Sequence, residues 1–409
     1  MSRLRALIAH PGATSLLFPL VAALQRIDPA SDFHTSLYFN LDGGLGRALG
    51  ALPAPWRERL RHEFGRRFRS DIAANRVHRH PMGEIAHLLC ARLGPQSGTA
   101  AMRWRNDRFD GAIARTLQRT MPRNYIGFDG SALHSIRAAR RLGVNSVLIQ
   151  AIGHIDALIA ILAEERKRWP AFFGAADLPP PPSWLERQRA EAREADIVAV
   201  ASDYVAETLI ARGTDPGRIR KIPYPCDTAR FAAPSDRPQS AKLRALFVGA
   251  IGPRKGIPYL LEAAAPLVRG GSMSLDLVGP LDCPAEALAP WRDIFVHRAG
   301  LAPAAMAAVY RHADMLVFPS LHEGQAMVCN EALASGLPLI CTANAGSTIS
   351  EGKEGYLVPL RNSAAIRERL QSLIDDRQLL ARMAHAARAH AEANDVTRFT
   401  DNLGKILVV

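Results

Sequence analysis

The chain has 409 residues, 48% of them apolar and 22% charged, with 51 Lys and Arg against 39 Asp and Glu. This length predicts two domains, because one hydrophobic core rarely keeps growing beyond about 250–300 residues. The five cysteines lack the paired spacing of a disulfide framework or a zinc site, which indicates a reduced, cytoplasmic compartment.

The net charge of +12 is concentrated in the first third of the chain. Residues 1–120 hold 18 arginines, no lysine and nine acidic residues, a net charge of +9. We therefore expect an anionic partner here, either an acidic membrane surface or an anionic acceptor, and no nucleic acid. A genomic preference for Arg over Lys would explain the residue type but not the clustering.

Short apolar runs alternate with longer helical patterns along the chain. Five runs in the first half predict strands: Leu4–Ala9, Thr35–Phe39, Tyr125–Phe128, Ser146–Gln150 and Ile197–Ser202. The second half has five more: Ala245–Gly249, Leu275–Gly279, Met315–Pro319, Pro338–Cys341 and Gly355–Val358. The alternation predicts an α/β fold with two Rossmann-like parallel-sheet units in series.

Neither long apolar stretch is expected to cross a bilayer. Residues 6–24 are interrupted by His10 and two prolines, and residues 147–162 by Gln150, His154 and Asp156. Between the two units, residues 222–240 are rich in Pro, Ser and Asp and lack periodicity, which is typical of a linker.

The stretch from Trp56 to Ile72 combines aromatic and basic residues. Apolar side chains recur every fourth position at Trp56, Leu60, Phe64, Phe68 and Ile72, with Arg57, Arg59, Arg61, Arg66, Arg67 and Arg69 between them. On one helix these residues would form an apolar stripe flanked by positive charge, which could lie on an anionic membrane. The alternative is a surface helix whose stripe packs on the core.

A glycine-rich turn in residues 245–264 predicts an anion site. A strand is followed by Gly249, Gly252 and Gly256 and then by a helix, with Arg254 and Lys255 in the turn. Free N–H groups at the helix start and the two cations favour a phosphate ligand. The pattern is neither a Walker loop nor a dinucleotide fingerprint, and an ordinary strand-to-helix turn is the alternative.

The sequence from 321 to 340 contains two glutamates eight positions apart. Glu323 is expected on the loop after a strand, and Glu331 just over one turn inside the following helix, which Gly336 ends. Carboxylates accept hydrogen bonds from vicinal hydroxyls. The free backbone N–H groups at the start of the helix are expected between the two glutamates. The spacing suits a ligand with two hydroxyl-bearing parts joined by phosphates.

The chain resembles the retaining glycosyltransferases of the family 4 type, which have the two-domain GT-B fold. Its first half resembles the members of that family that act in exopolysaccharide biosynthesis. The resemblance rests on the Glu323/Glu331 pair, on Arg254-Lys255-Gly256, and on residues 197–231 and 354–374. It implies an acceptor-binding domain, 1–222, and a nucleotide-sugar-binding domain, 223–389. A helix at about 390–409 could pack back on the first domain.

By this resemblance Arg254 and Lys255 would hold the diphosphate, Glu331 the ribose and Glu323 the transferred sugar. The donor site would also include Gly12, Gly249, Gly324, Gln325, Ala326, Met327 and Val328. Asp129 and His154 would lie at the crevice rim, where His154 could contact the sugar, accept a proton or merely cap a loop. No metal and no cofactor besides the nucleotide-sugar co-substrate are expected.

The chain departs from the family pattern at several positions. Ala250 stands where Arg is frequent, Gln325 where an aromatic residue is usual, and Pro225-Cys226-Asp227 and Ala345-Gly346 replace Gly-Val-Asp and Gly-Gly. The leading hypothesis is a retaining, metal-independent transferase that moves a sugar to a glycan, lipid-linked or other acceptor in polysaccharide or glycolipid biosynthesis. The alternatives are an epimerase or phosphorylase on the same scaffold, and a non-catalytic nucleotide-sugar-binding subunit of an assembly complex.

Overall fold

The computed structural model describes residues 4–12, 16–41, 43–50, 52–65, 67–174, 179–233, 240–301 and 303–407. The strands of the first half are β1 Ala6–His10, β2 Asp32–Thr35, β3 Val77–Arg79, β4 Asn124–Phe128, β5 Asn145–Gln150, β6 Ile197–Val200 and β7 Ile219–Lys221. Its helices are α1 Leu17–Ile27, α2 Gly44–Gly50, α3 Ala54–Gly65, α4 Pro81–Ala91, α5 Pro95–Thr120, α6 Leu133–Leu142, α7 Ile155–Arg168, α8 Pro182–Glu194 and α9 Asp203–Ile210.

The second half repeats this alternation. Its strands are β8 Leu243–Val248, β9 Met273–Val278, β10 Val296–Arg298, β11 Met315–Phe318, β12 Leu339–Cys341 and β13 Gly355–Leu357. Its helices are α10 Ile257–Arg269, α11 Pro303–His312, α12 Met327–Ala334, α13 Ser363–Asp375, α14 Arg377–Ala393 and α15 Val396–Gly404.

Both halves form parallel sheets. The strand order is β3-β2-β1-β4-β5-β6-β7 in the first sheet and β10-β9-β8-β11-β12-β13 in the second. Because the strands of each sheet run in one direction, the loops after β8 and β11 leave the same edge, where α/β proteins bind ligands. The predicted α/β fold with two Rossmann-like sheets is confirmed.

Most predicted strands are present, and the errors lie at β2 and at sheet edges. The run Thr35–Phe39 is wrong as a strand, since β2 ends at Thr35. Three strands were not predicted: β3, β7 and β10, each three residues long and at a sheet edge. Their side chains are mostly exposed, so they lack the apolar run by which a buried parallel strand is recognised.

Two elements cross between the halves. Phe399 and Leu403 of α15 pack in the core of the first half, against α1. Conversely, Phe172, after α7, is buried in the core of the second half. Each half therefore packs residues contributed by the other half of the sequence. The domain boundary at 222/223 stays a prediction.

The stripe predicted between Trp56 and Ile72 does not lie on one helix. Helix α3 ends at Gly65, and beyond it Phe68 packs against the core of the first half and Ile72 is buried in it. The Phe64 ring lies 4.3 Å from that of Phe39. These contacts favour core packing for the second part of the stripe, whereas Trp56 is 61% exposed. The side chains of Arg59, Arg61 and Arg66 lie outside the described part of the structure.

Two further observations concern the chain as a whole. No helix of the described residues is long and apolar enough to cross a membrane. All five cysteines are free, and three of them are buried.

Candidate active site

The turn that follows β8 carries the two predicted phosphate-binding cations. After Gly249 the chain forms a short 3-10 helix, Pro253–Lys255, before α10 begins. Gly256 joins the two helices with a φ of +71°, and a Cβ at this position would overlap the carbonyl oxygen of Pro319. Only glycine combines this backbone conformation with so close an approach. The turn is thereby held against the loop that follows β11.

This packing brings Arg254, Lys255 and Glu323 together. Arg254 Nη1 donates to Glu323 Oε1 at 2.7 Å and to the carbonyl oxygen of His322 at 2.8 Å. Lys255 Nζ donates to the same carboxylate oxygen, and Ser320 Oγ lies 3.1 Å from it. The predicted phosphate turn and the predicted sugar-binding glutamate therefore form one cluster.

The cluster keeps unused hydrogen-bonding capacity. Among the described residues, Glu323 Oε2 and Arg254 Nη2 have no hydrogen-bond partner, and the Arg254 side chain is 24% exposed. Burial lowers the pKa of Lys255, and the neighbouring Glu323 carboxylate offsets part of this effect. Two cations face one carboxylate, so the local charge is positive and suits an incoming anion.

Glu331 occupies a separate position on α12. Its Oε2 accepts a hydrogen bond of 2.7 Å from the hydroxyl of Tyr310, a residue of α11 that sequence analysis did not identify. Burial raises the pKa of Glu331, although the Tyr310 hydrogen bond and the positive charge of Arg230 oppose the rise. Its Oε1 has no partner among the described residues and can accept from a ligand hydroxyl.

The residues between the two glutamates differ in what they offer a ligand. The Gln325 side chain is buried and points toward the linker, where Oε1 accepts from the N–H of Tyr224 at 2.7 Å. The N–H of Ala326 is donated to the carbonyl oxygen of Ala345, so it is not free. Among the described residues, the N–H groups of Met327 and Val328, at the start of α12, have no partner.

The same loop connects the two halves of the chain. The N–H of Gly153 donates to the carbonyl oxygen of Glu323 at 3.1 Å, and Ser202 Oγ donates to that of Gly324 at 2.5 Å. A Cβ on Gly324 would overlap the carbonyl oxygen of Ala151. Gly324 is thus required for the two loops to approach closely, and Glu323 lies at their junction.

His322 is a central residue of this junction that sequence analysis missed. It is fully buried, its Nε2 lies 3.1 Å from the carbonyl oxygen of Gly153, and its Nδ1 lies 2.5 Å from the Tyr204 hydroxyl. The carbonyl can only accept, so Nε2 carries the proton and Nδ1 accepts from Tyr204. Burial and the nearby Arg254 lower the pKa of His322 to about 4. No sequence pattern indicates this role, because its partners are more than 100 positions away.

Comparison with protein-family models identifies a family that this part of the chain resembles. Residues 242–376, one third of the chain, match the family described as glycosyl transferases group 1. This range includes the cation turn, both glutamates and the loop that joins the halves. This part of the chain is thus similar to the glycosyl transferases of group 1.

Three curated relatives of this chain share one name. The D-inositol 3-phosphate glycosyltransferase of Corynebacterium efficiens is 28% identical over 222 residues, 48% of this chain and 52% of the relative. The proteins of that name from Geodermatophilus obscurus and Paenarthrobacter aurescens are 30% and 31% identical, over 57% and 51% of this chain and 57% of each relative. The chain thus spans little more than half the length of the curated relatives it matches.

Solved structures extend the similarity to the whole chain. Anabaena HepE, determined with UDP and glucose, aligns over 98% of both chains with a TM-score of 0.63 and 13% identity. Sucrose-phosphate synthase from Thermosynechococcus elongatus aligns over 99% of this chain and 98% of its own, with a TM-score of 0.67 and 16% identity. The chain has the GT-B fold.

His154 lies next to the junction, at the start of α7. Its Nδ1 accepts from the N–H of Asp156 at 3.2 Å, so it caps the helix and leaves Nε2 as the protonated ring nitrogen. Burial lowers its pKa, which favours the neutral ring. Asp129 accepts from the N–H of Ala151 at 3.2 Å, and burial raises its pKa to about 6. Both rim residues thus adjoin the 151–154 loop, and a catalytic role for His154 stays a prediction.

Two glycines predicted in the donor site, Gly249 after β8 and Gly12 after β1, have different surroundings. The N–H of Gly249 donates to Val278, so it belongs to the sheet ladder. Gly12 follows β1, its N–H donating to His10 Nδ1 at 3.0 Å, and lies near the Arg105 guanidinium. Residues 13–15, which continue this turn, lie outside the described residues.

A second cluster of two cations and one carboxylate lies near Gly12. The buried Glu84 accepts from Arg67 at Oε1 and from Arg105 at Oε2, each at 2.6 Å. Burial raises the pKa of Glu84, but the two guanidinium groups outweigh it and hold the pKa below its usual value. Within the described ranges, no group of three or more His, Cys, Asp or Glu side chains is arranged to hold a metal ion.

Proposed function

We propose that the protein is a retaining, metal-independent glycosyltransferase that moves a sugar from a nucleoside diphosphate to an acceptor bound by its first half. The acceptor would be a glycan, a lipid-linked molecule or another acceptor, in polysaccharide or glycolipid biosynthesis. Support comes from the similarity of residues 242–376 to glycosyl transferases group 1, from the names of the curated relatives and from the UDP ligands of structures with the same fold.

The observation that carries the proposal is the cluster of Arg254, Lys255 and Glu323 at the junction of the halves. When the donor binds, its diphosphate would take over the free donors of both cations. The Glu323 carboxylate, already held by three donors through Oε1, would accept from a sugar hydroxyl through Oε2. Hydrogen bonds to charged groups contribute about 1.5–3 kcal/mol each.

In the proposed reaction the bond between the sugar C1 and the diphosphate oxygen breaks, and an acceptor oxygen forms a new bond to C1 on the same face. Negative charge develops on the leaving diphosphate. Arg254 and Lys255 would stabilise this charge, and fixed groups do so effectively because they need little reorganisation. The acceptor's proton would pass to the leaving phosphate oxygen, and no protein nucleophile is required.

Glu331 would hold the ribose. Its free Oε1 can accept from a ribose hydroxyl while Tyr310 keeps the other oxygen in place. The free N–H groups of Met327 and Val328 would meet the phosphates at the start of α12, where the helix dipole favours negative charge. Gln325, which points to the linker, would contribute through its backbone rather than through its side chain.

The test is incubation of the purified chain with labelled UDP-glucose, UDP-N-acetylglucosamine and GDP-mannose, with acceptors that include D-inositol 3-phosphate. A transferase gives a labelled acceptor, whose anomeric configuration is read by NMR, in buffer containing EDTA. Isomerised donor would indicate an epimerase. Donor binding without either product, across the acceptors tried, would favour a non-catalytic subunit and overturn the proposal.

A further inference from the structure

The helix α4 and the turn after it expose an unusual number of large apolar side chains. Their exposed fractions are 78% for Met82, 49% for Ile85, 46% for Leu88, 58% for Leu89 and 80% for Leu93. Elsewhere in the described chain, exposed large apolar residues occur singly or as the pair Leu52 and Trp56. Contiguous apolar surface of this kind marks an interaction site on a folded protein.

The exposed residues share one face of α4, opposite the face that packs. On an ideal helix of 3.6 residues per turn they fall within an arc of about 140°. The other side contacts α5: a Cβ on Gly83 would lie 3.1 Å from Arg105, and Glu84 bonds to the same arginine. The fold therefore holds α4 by its polar side and leaves the apolar side uncovered by the described residues.

The chain segment that contains α4 carries an excess of positive charge. Between residues 72 and 106 the chain has five arginines and one acidic residue, Glu84, whose buried carboxylate is paired with Arg105 of this range and with Arg67. Arg92, exposed after the last turn of α4, falls within the apolar arc. Arginine beside an apolar helix face can reach lipid phosphates while the apolar side chains enter the acyl region.

We propose that the exposed face of α4 docks on the surface of an anionic lipid bilayer. The face is 11 residues long with its apolar side chains on one side, so it suits a helix lying in the interface rather than a spanning one. A second copy of the chain is a poorer occupant, since it would bring the same arginines together. The docking site thus lies on α4, not on the segment 56–72, for which the sequence left membrane docking and core packing open.

Flotation with lipid vesicles tests this proposal on the full chain. Wild-type protein should bind vesicles of phosphatidylglycerol and phosphatidylcholine, bind phosphatidylcholine alone much more weakly, and be released by about 0.5 M salt, which screens the attraction. The combined substitution Met82→Ser, Leu89→Ser and Leu93→Ser should lower binding to the anionic vesicles by about tenfold or more. These side chains are exposed, so the substitutions leave the core intact.

The matched control replaces two exposed apolar residues elsewhere. Ile210→Ser with Leu281→Ser, at positions 44% and 40% exposed, should bind vesicles like wild type. Circular dichroism and the thermal midpoint confirm that each variant is folded, and Leu93→Ser alone, outside the helix, gives a smaller loss in the same direction.

Three results would overturn the proposal. These are wild-type protein that does not bind anionic vesicles, a triple variant that binds them as wild type does, and a wild-type dimer in sedimentation that the triple variant abolishes. The last result would make the face an interface between copies. Vesicle binding needs no nucleotide-sugar, and donor binding is measured without lipid, so this proposal and the proposed function can fail independently.

Discussion

Two clusters in this molecule have the same composition, two cations and one carboxylate, but differ in how the carboxylate is used. In the first half Glu84 is 1% exposed and uses both oxygens, one for Arg67 and one for Arg105. In the second half, Arg254, Lys255 and Ser320 all approach a single oxygen of Glu323. In the first cluster both carboxylate oxygens already accept from arginines of the protein. In the second, Glu323 Oε2 and Arg254 Nη2 have no partner among the described residues and can bind a ligand.

This difference follows from where each carboxylate is attached. Glu84 lies on α4, packed against α5, and its charge is compensated inside the fold. Glu323 lies on a loop between β11 and α12, at the junction of the halves, where its backbone rather than its carboxylate makes the connection. A carboxylate that is not needed to hold the fold is free to bind substrate, and the following predictions test this distinction.

The largest expected effect on stability is that of Glu84→Ala. It leaves Arg105, which is only 8% exposed, without its charge partner, and breaking a buried ion pair costs about 3–5 kcal/mol. Urea denaturation measures this loss. Glu194→Ala, which removes the half-buried partner of the exposed Arg137, should cost no more than about 1 kcal/mol. Equal losses in the two variants would contradict the structural role of Glu84.

In the second cluster the effect should be on transfer rather than on folding. Lys255→Ala should lower kcat/KM by about 10²–10³-fold, as for the loss of one group that stabilises developing charge. Its free energy of unfolding should change far less than in Glu84→Ala. The exposed Lys353→Ala provides the control. If Lys255→Ala instead lowers the free energy of unfolding as much as Glu84→Ala does, and the molecules that remain folded keep full activity, the two clusters do not differ as described.

A smaller effect is expected for the ribose contact. Glu331→Ala should weaken donor binding in calorimetry by about 1.5–3 kcal/mol, through loss of a hydrogen bond to a charged acceptor. Glu368→Ala, an exposed position on α13, should bind the donor like wild type. Unchanged affinity in a folded Glu331→Ala variant would remove the nucleotide assignment while leaving the comparison of the two clusters intact.

The last prediction concerns the pH dependence of the junction. The pKa of His322 lies near 4 in the folded chain against 6.5 for the free side chain, so the unfolded state binds a proton first as pH falls. The contribution of neutral His322 to the free energy of unfolding is present above about pH 6.5 and is lost as the pH falls toward 4. Between pH 7.5 and pH 5 the loss is about 2 kcal/mol. Comparison of His322→Asn with wild type at both pH values measures it.

The control for this prediction is the exposed His385→Asn, which should leave the wild-type pH dependence unchanged. Half-buried His10 and buried His34 also have lowered pKa values, so the wild type loses stability in acid for more than one reason. Only the difference between variants reports His322. An identical decline in His322→Asn and wild type would show that the junction does not depend on the neutral ring.

The second half was more predictable than the first. The motif around Glu323 and Glu331 places both carboxylates, because they are separated by one loop and one helical turn and local geometry fixes their positions. The alternation of apolar runs predicts the central strands, which are buried on both faces. The edge strands β3, β7 and β10 were missed because half-exposed residues carry no such pattern.

In the first half, composition indicated a basic surface but not its location. The regular spacing from Trp56 to Ile72 suggested one amphipathic helix, yet the chain turns at Gly65 and buries Ile72 in the core. The apolar residues of α4 have the spacing of an ordinary amphipathic helix, and the sequence analysis did not single them out. Whether such a stripe is buried or exposed depends on which neighbour covers it, and no local pattern records that.

The sequence by itself determined the fold class, the cation turn and the two glutamates, because each depends on residues close together in the chain. Tertiary structure decided that Lys255 and Arg254 meet Glu323, that Tyr310 holds Glu331, and that buried His322 joins the halves. These contacts link positions 21 to 169 residues apart. They form only when two parallel sheets bring their loops to a common edge, and that geometry belongs to the packed chain rather than to any segment of it.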